Sequence, residues 1–310
     1  MTRLELLDLF TPIYDEFRVM KFAEPKHQYL KLFDVIDDPT HDWRFNAMSG
    51  LGAWEQVDED SDEGLDHFVI GYEGVFSLAK YRKYFYVSFE VNEQNEYASL
   101  EAKSFKAEAL GAGGRSRCER SAMGQLISAF TTAGADAVSV YNNSHPKNPE
   151  ETGTTYDNLL VGPLSHDNLE AAETQISYNH FDMDGEPIQL DEKPYLVYAP
   201  SNAGVAERLL SDRAGGRPEI DNRDEINRFS GKYIPMESVF ISAASGMNGS
   251  DTAWHIIYPS MKNLKFIWGG RPDSASWIDH KYQRYYFDSW MWFSSGIIDW
   301  RGMFGSTGLL

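Results

Sequence analysis

One cysteine, Cys118, stands in 310 residues. A disulfide framework and a cysteine-rich metal site are therefore excluded, and a reducing compartment fits. Positive charge is also scarce: 28 Lys and Arg stand against 47 Asp and Glu, a net charge of −19. That balance argues against binding nucleic acid through phosphate contacts, although a surface that only faces DNA can be acidic, because repulsion prevents sticking. No apolar run approaches the ~18–20 residues of a membrane span. The first ten residues carry acids within their apolar run, which is not the pattern of a signal peptide. A soluble protein made in the cytosol is the expectation.

Catalytic motifs are missing too. There is no Gly-x-Ser-x-Gly elbow, no Walker loop and no His-Glu-x-x-His. The eight His are scattered without a metal-ligand spacing. Gly111-Ala-Gly-Gly114 lies inside a helical pattern, not after a strand, so it fails as a dinucleotide loop. The acidic run Asp58–Gly64 resembles a calcium loop, but its Gly falls one place late and Val69 stands where a bidentate Glu is needed. It reads as a solvated turn. Cys118 falls on an apolar helical stripe and reads as a small core residue. No catalytic, cofactor-binding or metal residue is therefore expected, and the chain does not read as an enzyme.

The longest helical pattern runs from Glu93 to Ala133. Good helix formers dominate it, and Cys118, Ala122, Met123, Leu126, Ile127 and Phe130 form one stripe. Tyr97, Leu100 and Phe105 are the expected anchors of its first half. Gly111–Gly114 should bend it, or mark a point where another backbone packs close. At ~1.5 Å per residue the whole stretch would be roughly 60 Å long, more than a compact domain is wide.

Residues 1–45 read as a short amphipathic helix and an extended arm that must lie on the body of the subunit or on a neighbour. Leu4, Leu7, Phe10 and Ile13 or Tyr14 mark the stripe. Trp54–Val57, His67–Tyr72 and Tyr84–Phe89 read as strands of a projecting hairpin. After the long helix, residues 142–157 read as an exposed loop. Ser165 caps a second helix with Leu169, Ala172 and Ile176 inward. Asp184-Gly185 is a turn. Tyr195–Tyr198 is a buried-type strand leading through Pro200 into a helix over 202–214, with Val205, Leu209 and Leu210 inward. Residues 213–228 are charged and read as exposed. Met236–Ser242 and Trp254–Tyr258 read as strands joined by a hairpin turn. Leu264–Trp268 and Tyr285–Phe293 are two aromatic strands, and Gly305–Leu310 reads as a loose end.

Asp279 and Asp288, beside Trp277 and Trp290, have the composition of a glycan site. The same aromatics alternate along strands, however, which favours a sheet core. Aromatic residues are also interface residues. An extended arm and a projecting hairpin become stable only when neighbours cover them, so the pattern reads as an assembly subunit.

The order of parts resembles the major capsid protein of tailed phages, the Hong Kong 97 type, and more narrowly the Mu-like major head subunits. The residues that carry the resemblance are Tyr86-Val-Ser-Phe-Glu-Val-Asn92, Asp184-Gly-Glu-Pro-Ile188, Tyr195-Leu-Val-Tyr-Ala-Pro200 followed by Ala206–Leu210, and Ile298-Asp-Trp-Arg-Gly-Met-Phe-Gly-Ser306. The resemblance implies an α+β, HK97-like capsid fold. Residues 1–45 would be the N-terminal arm, 46–92 the extended hairpin loop (E-loop), and 93–190 a peripheral domain with its spine helix. Residues 191–258 would be the axial domain, and 259–310 the return strands and C-terminal end. It further implies pentamers and hexamers of the chain itself, a DNA-enclosing shell in the virion assembled in the host cytoplasm, and possible portal, scaffolding or decoration partners. Lys80 and Lys83 lie near the hairpin base rather than at its acidic run, so the family's Lys–Asn cross-link is not carried over. An encapsulin-like compartment shell is the alternative within the fold, and a glycan-binding or glycan-hydrolysing protein is the alternative outside it.

Overall fold

The computed structural model describes residues 3–24, 26–40, 42–48, 70–90, 96–211 and 227–309. Two strands dominate it: β11, Leu264–Asp279, and β12, Arg284–Ile297. They pair antiparallel from Leu264↔Ile297 to Asp279↔Arg284. Strands of 16 and 14 residues exceed the usual ~5–6. The pattern that builds them is alternation: Tyr285, Phe287, Met291 and Phe293 all point to one buried face. The ladder is irregular between Trp268 and Asp273. Gly269 and Gly270 fall there, where a Cβ would sit 2.3 Å from Leu78 and 2.7 Å from Trp292. β1, Asp34–Asp37, adds in parallel on the β11 side, and β4, Ala79–Ser88, adds antiparallel on the β12 side. The sheet order is β1-β11-β12-β4, so β4 is an edge strand.

Two helices lie on its buried face: α1, Arg3–Ala23, and α2, Glu96–Ser128. Cys118, Ala122, Met123 and Leu126 are fully buried, as the stripe requires. The helix begins and ends inside the expected Glu93–Ala133. At its C-terminus Thr131 and Thr132 donate back to the Ser128 carbonyl and the chain turns away; residues 93–95 lie outside those described. The expected anchor Phe105 is 71 % exposed, and Ala107 and Leu110 are buried in its place. Helical hydrogen bonding continues through Gly111–Gly114 without interruption, so these glycines do not break the rod. Gly111 instead admits a neighbour: a Cβ there would stand 2.3 Å from the Arg18 carbonyl oxygen of α1. The close-approach reading is the correct one.

The N-terminal arm lies on its own subunit. Tyr14 packs on Phe85 and Phe287, with ring centroids 5.8 and 5.0 Å away. β1 is held to β11 by Lys265–Asp34 and Arg271–Asp37 pairs. The hairpin differs from its expected limits. β2, Asp42–Met48, pairs antiparallel with β3, Ile70–Ser77, while β4 belongs to the large sheet. Period-two patterning alone could not tell which of three candidate strands pair with each other. Trp54–Val57 and the acidic run 58–64 lie outside the described residues.

The short strands β5, His145–Pro146, and β6, Thr155–Tyr156, pair antiparallel. A second sheet combines β7, Leu159–Leu160, β8, Tyr195–Tyr198, β9, Ile234–Glu237, β10, Trp254–Ile257, and β13, Met303–Ser306. Its order is β7-β13-β10-β8-β9. The helices α3, His166–Asn179, and α4, Ala203–Leu210, contribute to its core. Ser165 caps α3 by accepting from the Asn168 amide, and Leu169, Ala172 and Ile176 are buried as expected. In α4, Leu209 is buried as expected, but Ala206 is the other fully buried position, and Val205 and Leu210 are half-buried. The helix ends at Leu210, and 212–226 lie outside the described residues.

Two expectations for this sheet were wrong. β9 pairs in parallel with β8, so residues 243–251 do not close a β9–β10 hairpin; β9 itself stops at Glu237 and a 3₁₀ turn, Val239–Ile241, follows. Gly305 and Ser306 are not a loose end but part of β13, every residue of which is buried between β7 and β10. Gly305 permits this, because a Cβ there would stand 2.6 Å from the Tyr141 ring.

The two helical glycines separate propensity from packing. Gly111→Ala is expected to lower stability by ~1–3 kcal/mol, because the clash with the α1 backbone outweighs the gain in helix propensity. Gly113, with nothing within 4 Å of its Cβ position, should instead gain up to ~1 kcal/mol as Ala. Urea unfolding of both variants reads the signs, and a stabilised Gly111→Ala would refute the close approach.

Candidate functional site

Asp279 and Asp288 are not a catalytic pair. Asp288 is buried and ion-paired: Arg82 Nε donates to its Oδ2 at 2.7 Å, with Arg82 Nη2 at 2.6 Å. Asp279 Oδ1 accepts from the amides of Lys281 and Tyr282 in its own turn. Asp279 sits opposite Arg284, four residues before Asp288 on β12. The strand rise puts the two roughly 13 Å apart, against the ~5–9.5 Å of a glycosidase pair. Trp277 stacks on Tyr286 at 5.1 Å and 3°. Trp277, Tyr286, Trp292, Tyr84 and Tyr86 line the sheet face away from the helices, and Trp277, Trp292, Tyr84 and Tyr86 are exposed. Reading these aromatics as one sheet core was half right: alternate residues are core, and the others are surface.

The sequence reading missed a buried polar cluster. His145 is fully buried, within the stretch expected to be an exposed loop. Its Nδ1 lies 2.6 Å from Asp136 Oδ2, and its Nε2 faces the Val140 carbonyl at 3.0 Å and Asn158 Oδ1 at 3.1 Å. Asn158 Nδ2 donates to the carbonyls of Val140 and Met303 at 2.8 and 3.0 Å. Trp300 stacks on the imidazole at 4.5 Å and 14°. The Asp–His–Asn order is that of a catalytic relay, but both ring nitrogens already face protein acceptors and no nucleophile lies among these contacts. The cluster ties 136–158 to β13. Most of 142–157 is exposed as expected, but His145 and Asn148 are buried within it, and a polar stretch gives no periodic signal that would single them out.

The remaining titratable groups are structural. Burial pushes the Cys118 thiol up to about 12, with Glu119 adding to the effect, as suits a core residue. Burial lowers His255 to about 3, and its Nδ1 lies 3.1 Å from the Tyr141 hydroxyl. Burial also lowers His180, and Arg301 adds to it; its Nε2 accepts from the Gly302 amide. Among the described residues one group could approach a metal set, His166, Asp167 and Glu170 at the start of α3. Glu170 is already paired with Arg228.

What stands out is surface built for covering. Among the described residues the β2–β3 hairpin has no third strand, and such a pair is marginal by itself. Trp43, Phe45 and Phe76 stack along it at 5.4–6.0 Å, while Ile70 and Val75 are exposed. No protein-family model matches the chain, and no curated protein is similar to it. Solved structures are similar over nearly its full length. The virus-like particle from Pyrococcus furiosus superposes with a TM-score of 0.51 at 12 % identity, over 94 % of this chain and 96 % of that one. The procapsid of bacteriophage JBD30 gives 0.53 at 12 % identity, over 100 % and 77 %. The mature capsid of bacteriophage PhiM1 gives 0.56 at 12 % identity, over 89 % and 84 %.

The chain has the HK97-like capsid fold. At these identities the likeness establishes architecture alone. Among the described residues, no helix is long and apolar enough to cross a membrane.

The two depressed histidines predict an acid limb. Each is neutral in the folded state and binds a proton on unfolding, so its contribution is complete above the ordinary value of 6.5. It is lost as pH falls, for His255 down to about 3. His255→Gln should flatten the pH dependence of urea stability between about pH 6.5 and 4 by close to one proton. An unchanged slope would show that His255 does not titrate in this way.

Proposed function

We propose that this protein is the major capsid protein of a tailed phage, a non-catalytic tile that self-associates into an icosahedral shell around double-stranded DNA. The observation that carries the reading is a capsid-like fold over nearly the full length whose hairpin and aromatic sheet face are left uncovered by the described residues. Pentamers and hexamers are its assembly units and the virion is its place. A Mu-like head subunit is the grouping we favour, on the residues named above. The expected division into E-loop, peripheral and axial domains shifts with the strand pairing: the E-loop runs from β2 to β3, β4 joins the peripheral sheet with α1 and α2, and β7 and α3 join the axial domain. In this scheme β11 and β12 complete the peripheral sheet, and β13 returns to the axial one. The net charge of −19 suits an inner wall that does not grip DNA. Portal, scaffolding or decoration proteins are partners of the class.

A cellular compartment shell is the second reading, favoured by the likeness to the virus-like particle. Contents separate the two: nucleic acid in purified particles supports the first, and a protein cargo supports the second.

Assembly tests the proposal directly. Negative-stain microscopy of the purified chain is expected to show shells, tubes or rings of five or six. A persistent monomer over a range of salt and concentration would overturn it. Replacing residues 44–75 by a short Gly-Ser linker should leave a folded subunit that does not form shells. Normal shells from that variant would show that the hairpin does not hold neighbours together.

A further inference from the structure

A cleft of about 200 Å³ opens where α1, α2 and the edge strand β4 meet. Three cations line it: Arg18 from α1, Lys83 from β4 and Arg117 from α2. Arg82 also borders it, but its guanidinium pairs with Asp288 on the other face of the sheet. Arg18 Nε lies 3.4 Å from Asp15. The Arg18 side chain is nonetheless only 7 % exposed and its Nε has no hydrogen-bond acceptor. Arg117 has no carboxylate partner among the described residues; it lies over the Tyr81 ring at 4.5 Å and donates to its hydroxyl. Lys83 is exposed and has no partner among the described residues. A surplus of positive charge is thus concentrated in one cleft of a strongly acidic chain. Gly113 forms part of its wall and has nothing within 4 Å of its Cβ position, so the α2 backbone is open to an incoming chain there. β4 leaves its outer backbone edge unpaired by the sheet.

The chain contains a complement. Asp58-Glu-Asp-Ser-Asp-Glu63 places five carboxylates in six residues. It lies in sequence between β2 and β3. The hairpin leads away from its own cleft. Phe76 packs at Gly296, and Tyr72 lines a small cavity with Asp136, Asp299 and Trp300. The cleft opens farther back on β12, beside Ser289–Met291. We propose that the cleft between α1, α2 and β4 receives the acidic stretch Asp58–Glu63 of a second copy of this chain. The inference rests on the shell reading and names where the hairpin of one subunit meets the next. Duplex DNA is a poorer occupant, because the cleft admits a few side chains rather than a backbone of its width.

The test uses shells assembled from equal parts of ¹⁴N- and ¹⁵N-labelled chain, treated with a zero-length carbodiimide. The expected product is a Lys83 peptide joined to the 58–63 peptide with mixed isotope labels. Same-label products alone would show that the stretch occupies its own subunit's cleft, and would overturn the proposal. No such product, with Lys83 instead protected from acetylation by packaged DNA, would overturn it in favour of nucleic acid. Lys83→Glu is expected to reduce shell yield about tenfold at low salt. Adding Asp60→Lys and Asp62→Lys to that variant should restore it. Unchanged yield in Lys83→Glu would count against the cleft while leaving the shell reading intact. If the wild-type chain forms no shells, the shell reading fails separately, and a peptide of residues 56–65 titrated onto the folded subunit decides the cleft. Binding weakened about fivefold by Lys83→Glu supports it, and no binding overturns it.

Discussion

The large sheet and its two helices share one interior, and it depends on the approach of α1 to the α2 backbone at Gly111. With the Arg18 carbonyl where a side chain would be, α1 sits low enough for Tyr14 to reach the Phe85 and Phe287 rings. Farther along α2, the small residues Cys118 and Ala122 bring the helix down beside β12, where Ser121 and Ser295 share a hydrogen bond of 2.9 Å. Each large apolar side chain buried in this layer contributes about 1.5–3 kcal/mol. The aromatic face on the other side of the sheet receives no such cover from the described residues.

That asymmetry gives the chain the form of a tile. A globular domain sandwiches its sheet, whereas here one face of β11–β12–β4 carries helices and the other carries exposed Trp and Tyr. The hairpin repeats the theme at smaller scale, with three stacked rings and, among the described residues, no third strand. Both leave apolar area exposed, the kind of surface that marks an interface. The ionic groups follow the same division. Asp288 is buried and paired, while Lys83 on β4 and Arg117 on α2 have no carboxylate partner among the described residues.

Much of the second sheet was legible from local pattern. The Ser165 cap and the Leu169, Ala172, Ile176 stripe identify α3, and continuous apolar residues identify β8 and β10. The errors share a cause. Gly305 and Ser306 were read as a free end because a small-residue stretch carries no periodicity, yet Gly305 is the residue that lets β13 pass the Tyr141 ring. His145 was read as exposed loop because a polar stretch signals solvent when the chain that covers it is distant in sequence. Phe105 was read as buried because apolar character was taken as burial, while the neighbouring Ala107 and Leu110 face the core.

The sequence alone determined the long helix, the two aromatic strands near the C-terminus, the absence of a catalytic motif and the order of parts that resembles a capsid subunit. These depend on periodicity and composition, which are local. Tertiary structure decided which strands pair, that α2 runs unbroken through Gly111–Gly114, and that Arg18, Lys83 and Arg117, drawn from three elements, share one cleft. Those outcomes depend on which backbones approach within a few ångströms, and spacing along the chain does not encode that for residues far apart in it.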